Sequence, residues 1–232
     1  MTALHGGVHH VTVTLTASSG VVTGGESLVA SHVIAALPPR LLNAMVTFDP
    51  ALAGETVARW RDTPTWLAPH AKFVALYDWH FWREAGLSGT AQSMGGPMAE
   101  IHDATTASGQ AALFGFVVVD AEPRAAVGEA VLTRACVEQF GRLFGEEARR
   151  PVATLLKDWA ADPCTATSAD QVPGGHPAGG EARWVTGPWE RYLTPGGSEV
   201  SPLEPGYLVG AVLAAERGTA AAIAAVQAGH RG

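Results

Sequence analysis

The chain holds only two cysteines, Cys136 and Cys164, in dissimilar contexts, so it lacks the material for a disulfide framework. Reduced thiols and a cytoplasmic setting are the expectation. Positive charge is scarce as well: 15 Lys and Arg stand against 22 Asp and Glu, and no basic cluster offsets the net charge of −7. That argues against nucleic acid and against an anionic membrane as partner. No apolar run reaches the length of a membrane span, and Met1 to Gly7 carry neither the basic region nor the apolar core of a secretory signal. The phosphate cradles G-x-G-x-x-G and G-x-x-x-x-G-K-S/T are absent, as are H-E-x-x-H, paired C-x-x-C and G-x-S-x-G. Nor do the histidines suggest a metal. His9 and His10 are adjacent and point to opposite faces of a strand, and Glu100-Ile101-His102-Asp103 reads as an acid–base cluster or as a strand running into a turn.

What remains is the composition of a globular enzyme-like chain, 47% hydrophobic and 16% charged. Val11 to Thr16 alternates as a strand does, Ser18-Ser19-Gly20 turns, Val21-Val22-Thr23 is a short strand, and Gly24-Gly25 turns again. Ala30 to Leu37 is an apolar run fit for a strand buried on both faces, ended by Pro38-Pro39. A helix is expected between Asp49-Pro50 and Arg61, and strands from Ala71 to Asp78 and from Leu113 to Asp120. Glu129 to Phe144 reads as a helix whose Leu132, Cys136, Phe140 and Leu143 form one face, stopped by Gly145. Pro163 to Pro188, rich in Gly, Pro, Ser and Thr, is a long loop or linker. Strands and helices alternate without a regular βαβ rhythm, so the class is α+β, or mixed α/β.

The last forty residues are unusual. Gly196-Gly197-Ser198-Glu199 is followed by Pro205-Gly206-Tyr207, opening a helix on which Gly206, Gly210, Ala214 and Gly218 fall four apart. One face of that helix therefore carries almost no side chain. Interior glycine costs about 1 kcal/mol relative to alanine, so such a stripe implies close approach of something flat: another backbone, or a ligand. Ser198 and Glu199 are a cap and an acceptor, or simply a polar turn.

Among single residues, Lys72 shares a strand face with Val74 and Leu76, an apolar place for an ammonium. It is a proton-handling or water-holding group, or else a strand-end lysine that reaches solvent or guards an edge. The tryptophans divide between core, expected for Trp79 and Trp82, and the lining of a cavity.

Taken together, three blocks resemble the carboxy-terminal half of the flavin-containing monoamine oxidase family. The first is Val33-Ile34-Ala35-Ala36-Leu37-Pro38-Pro39. The second is Lys72 with Tyr77 and then Phe81-Trp82-Arg83-Glu84-Ala85-Gly86-Leu87-Ser88-Gly89. The third is Gly197-Ser198-Glu199 with Pro205-Gly206-Tyr207-Leu208-Val209-Gly210-Ala211-Val212 and Ala215-Glu216-Arg217. Asp158-Trp159 resembles the tryptophan bordering the isoalloxazine.

The resemblance implies an amine oxidase using non-covalent FAD on a small-molecule amine. In it, Lys72 holds a water at the flavin N5 and Trp159 borders the ring. Gly197, Ser198 and Glu199 approach the phosphate and ribityl part, while Gly206 and Tyr207 offer backbone N–H groups and Tyr207 an aromatic wall to the substrate. It also implies partial flavin-domain pieces at 1–40 and 186–232 around a substrate domain at 41–185. The family's amino-terminal Rossmann half has no counterpart here, and Ser168 and Ala169 stand where its second tyrosine is common. A partner chain supplying that half, self-association, or a non-catalytic remnant follows from these departures.

Overall fold

The computed structural model describes residues 2–6, 11–15 and 26–229; the sequence features at His9, His10 and Ser18 to Gly25 lie outside them. In chain order the elements begin β1 (Thr2–Gly6), β2 (Val11–Leu15), β3 (Glu26–Ala30), β4 (Val33–Ala35), α1 (Pro39–Met45), β5 (Val46–Asp49) and α2 (Gly54–Asp62). Next come β6 (Ala71–Tyr77), α3 (Phe81–Glu84), β7 (Ala91–Gln92), β8 (Met98–Asp103), β9 (Ala111–Val117), α4 (Ala121–Val127) and α5 (Glu129–Phe144). The chain finishes with β10 (Ala153–Asp158), β11 (Leu193–Pro195) and α6 (Leu208–Gly229). This is the expected mixed α/β class.

Two compact units divide the chain: residues 1–66 with 174–232, and residues 67–173. In the first, a four-stranded sheet runs β3-β2-β1-β5, and a two-stranded parallel sheet pairs β4 with β11. Its core gathers Ala35, Leu42, Trp60, Val185, Trp189 and Leu193, with Phe48 edge-on to Trp60 at 5.8 Å and to Trp189 at 5.4 Å. Both buried indoles are satisfied, Trp60 Nε1 donating to Trp184 O and Trp189 Nε1 to Pro50 O, each at 2.7 Å. The units divide at 66/67 and 173/174, and Leu42, Trp60 and Val185 belong to the core of the first.

Several local expectations are corrected here. The run from Ala30 to Leu37 is two strands, broken at Ser31-His32, where the His32 ring bonds Arg191 O at 3.0 Å and Thr194 Oγ1 at 2.9 Å. β4 is not buried on both faces, since Ile34 is exposed. Pro39 starts a helix instead of stopping a strand: proline at the first helical position has no N–H to lose and a preset φ. Helix α6 begins at Leu208, three residues later than expected, after a turn in which Gly206 takes φ +82°.

The small-residue stripe of α6 meets the protein's own chain. A Cβ on Gly210 would collide with Glu204 O, and one on Gly218 would sit 3.4 Å from Ile34 Cγ2 and 3.6 Å from Thr194 Cγ2. The flat thing approaching the glycines is thus the β4–β11 sheet and the 201–204 loop. Leu208, Val209, Val212 and Ile223 are exposed. By length and composition alone α6 could cross a membrane, with Glu216 and Arg217 inside the span. That corrects the expectation that no stretch is long enough, since two charges do not offset so many Ala, Val and Leu.

The second unit is a five-stranded antiparallel sheet, β10-β6-β9-β8-β7. Along β6, Ala71, Phe73, Ala75 and Tyr77 are buried while Lys72, Val74 and Leu76 are half-buried, the alternation expected of a sheet with one covered face. The covered face meets α5 through Leu132, Cys136, Phe140 and Phe144. Gln139, also on α5, is fully buried yet satisfied, accepting from Met98 N at 2.9 Å and donating to Met98 O at 2.6 Å. Burial pushes the Cys136 thiol up to about 12, so it stays protonated and inert. Trp82 is core, but Trp79 is 46% exposed, contrary to expectation.

Candidate active site

Cross-strand register decides which side chains gather on the open face of the second sheet. Lys72 pairs with Lys157 on one side and Phe116 on the other, and Phe116 in turn pairs with Glu100. The next row joins Leu155, Val74, Phe114 and His102. An irregularity between Met98 and Glu100 lets Met98 and Ile101 both reach the core while Glu100 and His102 keep to the open face.

Lys72 and Lys157 are the only lysines of the chain. They lie directly opposite each other, an arrangement that like charges disfavour. Lys157 is neutralised by Asp162, Nζ to Oδ2 at 2.5 Å. Lys72 has no carboxylate partner among the described residues. Its Nζ instead lies 4.6 Å from the ring centre of Phe116, 5.4 Å from that of Phe114 and 5.7 Å from that of Trp159. A cation against three π faces is held without spending its N–H donors, which stay available for water or a polar ring atom. The reading of Lys72 as a strand-end lysine reaching open solvent does not fit this box.

A buried ion pair anchors the box. The Arg124 side chain, 2% exposed, grips Asp158 with both prongs: Nε to Oδ2 at 2.8 Å and Nη2 to Oδ1 at 2.6 Å. It also donates to Val119 O at 2.6 Å and Pro69 O at 2.9 Å. Asp158 precedes Trp159, whose N–H donates to His70 O, and Pro69 and His70 lead into β6. One guanidinium therefore ties the Trp159 segment to the strand that carries Lys72. Burial, and then the charge of Arg124, lower the pKa of His70, keeping that ring neutral.

The Phe81-Trp82-Arg83 block has a structural task. Trp82 Nε1 at 2.9 Å, Arg83 Nε at 2.7 Å and Thr105 N at 2.8 Å all donate to the Asp103 carboxylate at the end of β8. Burial works to raise the pKa of Asp103, but bonds from Arg83, Thr105 and Trp82 outweigh it and hold the carboxyl well below the usual carboxylate range. A depressed native pKa stabilises the fold above the unfolded-state value near 4, and that contribution is lost as pH falls below it. Asp103→Asn is expected to cost about 1–2 kcal/mol at pH 7, modest because Arg83 is half exposed, and to flatten the loss of stability below about pH 4. Urea unfolding of both proteins between neutral and acid pH checks this.

In the first unit, Gly197 precedes a single 3-10 turn at Ser198–Val200. A Cβ on Gly197 would sit 2.8 Å from Leu37 O and 2.9 Å from Glu199 Oε2, and Glu199 is buried. Glycine is thus required at 197 by the protein's own packing. Gly206 N donates to Ser198 O and Tyr207 N to Glu204 O, both at 3.2 Å. These two N–H groups are already used, contrary to expectation, and α6 begins just beyond them at Leu208. The Tyr207 ring, 44% exposed, stacks on His176 at 4.7 Å and 24°, with Tyr207 Oη 3.1 Å from His176 Nε2. His176 in turn lies 3.4 Å, centre to centre, from Trp66. Sequence reasoning missed His176 because it sits in an aperiodic loop; it missed Phe114 and Phe116 as Lys72 partners because register is not written in local periodicity. A cavity of about 430 Å³ beside α6 is bordered by Arg183, Glu190, Thr194, Pro195, Arg217 and Gly218.

Residues 4–223 match the sequence profile of the flavin containing amine oxidoreductases. The chain belongs to that family. Its fold is similar to that of a redesigned single-site mutant of putrescine oxidase, at TM-score 0.70 and 23% identity over 96% of this chain and 47% of that one. Cyclohexylamine oxidase from Brevibacterium oxydans IH-35A is similar at TM-score 0.68 and 23% identity, over 97% of this chain and 47% of that one. Wild-type putrescine oxidase bound to putrescine gives TM-score 0.68 at 21% identity, again over 96% and 47%. The chain thus spans about half the length of these solved relatives.

Proposed function

We propose that this chain forms the amine-facing part of a flavin-dependent amine oxidase, with Lys72 at the reacting edge of a non-covalently held FAD. The observation that carries this reading is the unpaired Lys72 ammonium set against Phe114, Phe116 and Trp159 in a member of a flavin family. The residues of this box fit the ring end of a flavin: aromatic faces, and a cation with free donors. The Gly197-Ser198-Glu199 turn approaches the phosphate and ribityl part, whereas the N–H groups of Gly206 and Tyr207 are engaged within the chain.

When bound, a flavin would supply two-electron oxidation of the amine to an imine, which water hydrolyses, with oxygen as the final acceptor and hydrogen peroxide as its product. The chain orients and tunes. Lys72 Nζ donates hydrogen bonds to a water at the reacting edge, and its positive charge favours negative charge developing there. Phe114, Phe116 and Trp159 exclude bulk water around that ammonium. Tyr207, stiffened by its stack on His176, presents an aromatic wall to a small-molecule amine.

The pyrophosphate and adenine contacts need a Rossmann turn, and the sequence has none. In this reading they come from residues outside this sequence, and the exposed apolar residues of α6 offer a surface for them; uncovered, the same residues favour self-association. Alone, the chain is expected to retain no FAD through gel filtration, as read from the visible flavin band of the protein peak. Stoichiometric flavin in that peak would contradict the division of labour.

A further inference from the structure

The chain's two lysines stand directly opposite each other yet keep different company. Side chains opposed on neighbouring strands are about 5 Å apart at Cβ, close enough for two ammonium groups to repel. The turn that follows β10 sorts them. Trp159 lies against Lys72, its ring centre 5.7 Å from Nζ, while Asp162 takes Lys157, Nζ to Oδ2 at 2.5 Å. Asp162 is itself fixed: Oδ1 accepts from Cys164 N at 2.9 Å, and its own N–H donates to Trp159 O at 3.1 Å. Asp158, gripped by Arg124, accepts from Ala160 N at 3.0 Å, so the anchor of the aromatic box also holds this turn. The bond from Lys157, and then that from Cys164 N, keep the Asp162 carboxyl below its ordinary range, so its charge persists at neutral pH. Phe114 and Phe116, on the other flank of Lys72, carry no charge. The sheet's remaining titratable groups on this face are Glu100 and His102 on β8, two strands from Lys72 and 2.7 Å from each other.

From this arrangement we infer that Asp162 is a positioning residue for the oxidation: by holding Lys157 aside it leaves Lys72 charged and its donors free. The inference rests on Lys72 standing at the reacting edge, as proposed above. Asp162 acts through Lys157 alone. Without the carboxylate, the Lys157 ammonium stays opposite Lys72 uncompensated, and Lys72 gives up its proton more readily to relieve the repulsion. A neutral Lys72 has one donor fewer and no charge to favour electrons arriving at that edge. Without Lys157 the reverse follows. The stranded Asp162 carboxylate draws the Lys72 ammonium and takes the donors that water would use. With both charges gone, the two effects cancel.

A chain with two lysines makes the test direct. The whole chain is treated with limiting acetic anhydride in mildly alkaline buffer, and acetylation of Lys72 is read by mass spectrometry. Only the neutral amine reacts, and the readout needs no flavin. Asp162→Asn keeps an acceptor for Cys164 N and is expected to speed Lys72 acetylation about fivefold, the scale of one like charge a strand away at a partly hydrated surface. Lys157→Met should slow it by a similar factor, and the double variant should return to within about twofold of wild type. In the complete flavin-loaded enzyme each single variant should lower kcat about threefold with little change in KM, and the double variant should recover it. A site that had merely loosened would move both single variants the same way and the double variant further. That result, or no change in acetylation at all, overturns the inference. If acetylation follows the crossed pattern but kcat ignores it, the charge coupling stands and the reading of Lys72 at the reacting edge falls. If Lys72→Met cripples turnover while acetylation is indifferent to Asp162 and Lys157, the oxidase reading stands and the inference falls.

Discussion

Lys72→Met is expected to lower peroxide production at saturating amine by about a hundredfold while leaving amine affinity within about twofold, the scale of one preorganised donor removed from a reacting edge. Methionine keeps the length and the contacts with Phe114, Phe116 and Trp159, so what is lost is the N–H donors and the charge. Lys72→Arg provides the contrast. The charge returns, but a planar guanidinium over the same rings aims its donors differently, so only part of the rate should return. Steady-state kinetics on the flavin-loaded assembly separates the two terms. A loss confined to KM would assign Lys72 to amine binding, against the role argued here.

The largest effect on stability belongs to Arg124. Its guanidinium bonds Asp158, Val119 and Pro69 from a nearly fully buried position, so Arg124→Met leaves a half-buried carboxylate and two carbonyls without their donor. Removing one partner of such a pair costs about 3–5 kcal/mol. Asp158→Asn added to Arg124→Met removes the stranded charge and should recover part of that loss, in a double-mutant comparison by urea unfolding. Because the pair ties Trp159 to the start of β6, Arg124→Met should also loosen the Lys72 box, read as faster amide exchange in residues 70–74.

Parts of this site were legible in the sequence for definite reasons. Lys72 stood out because strand alternation put an ammonium beside Val74 and Leu76, and the sheet does present those three on one face. Helix α5 was readable because Leu132, Cys136 and Phe140 recur at helical spacing and Gly145 closes it with φ +101°. Leu143, expected on the same face, is only partly buried, and Phe144 takes the core position. The glycine stripe of α6 demands close approach, yet sequence does not say what approaches; Gly210 meets the backbone at Glu204 and Gly218 meets Ile34. Pro38-Pro39 reads as the end of a strand, yet proline also starts helices, and Pro39 opens α1. The aromatic box, the Arg124–Asp158 anchor and the Glu100–His102 pair were beyond reach. Each depends on partners 30 or more residues apart or on a register that an irregularity at Met98–Glu100 resets.

The most direct test is anaerobic. The chain, within the complete flavin-loaded enzyme, is mixed with a primary amine and the visible flavin band is followed without oxygen. Bleaching of that band, at a rate saturating with amine and with one equivalent of aldehyde released per flavin, is the expected result. A band unchanged by every amine tried, in an assembly whose flavin is bleached by dithionite, would contradict the assignment of this chain to amine oxidation.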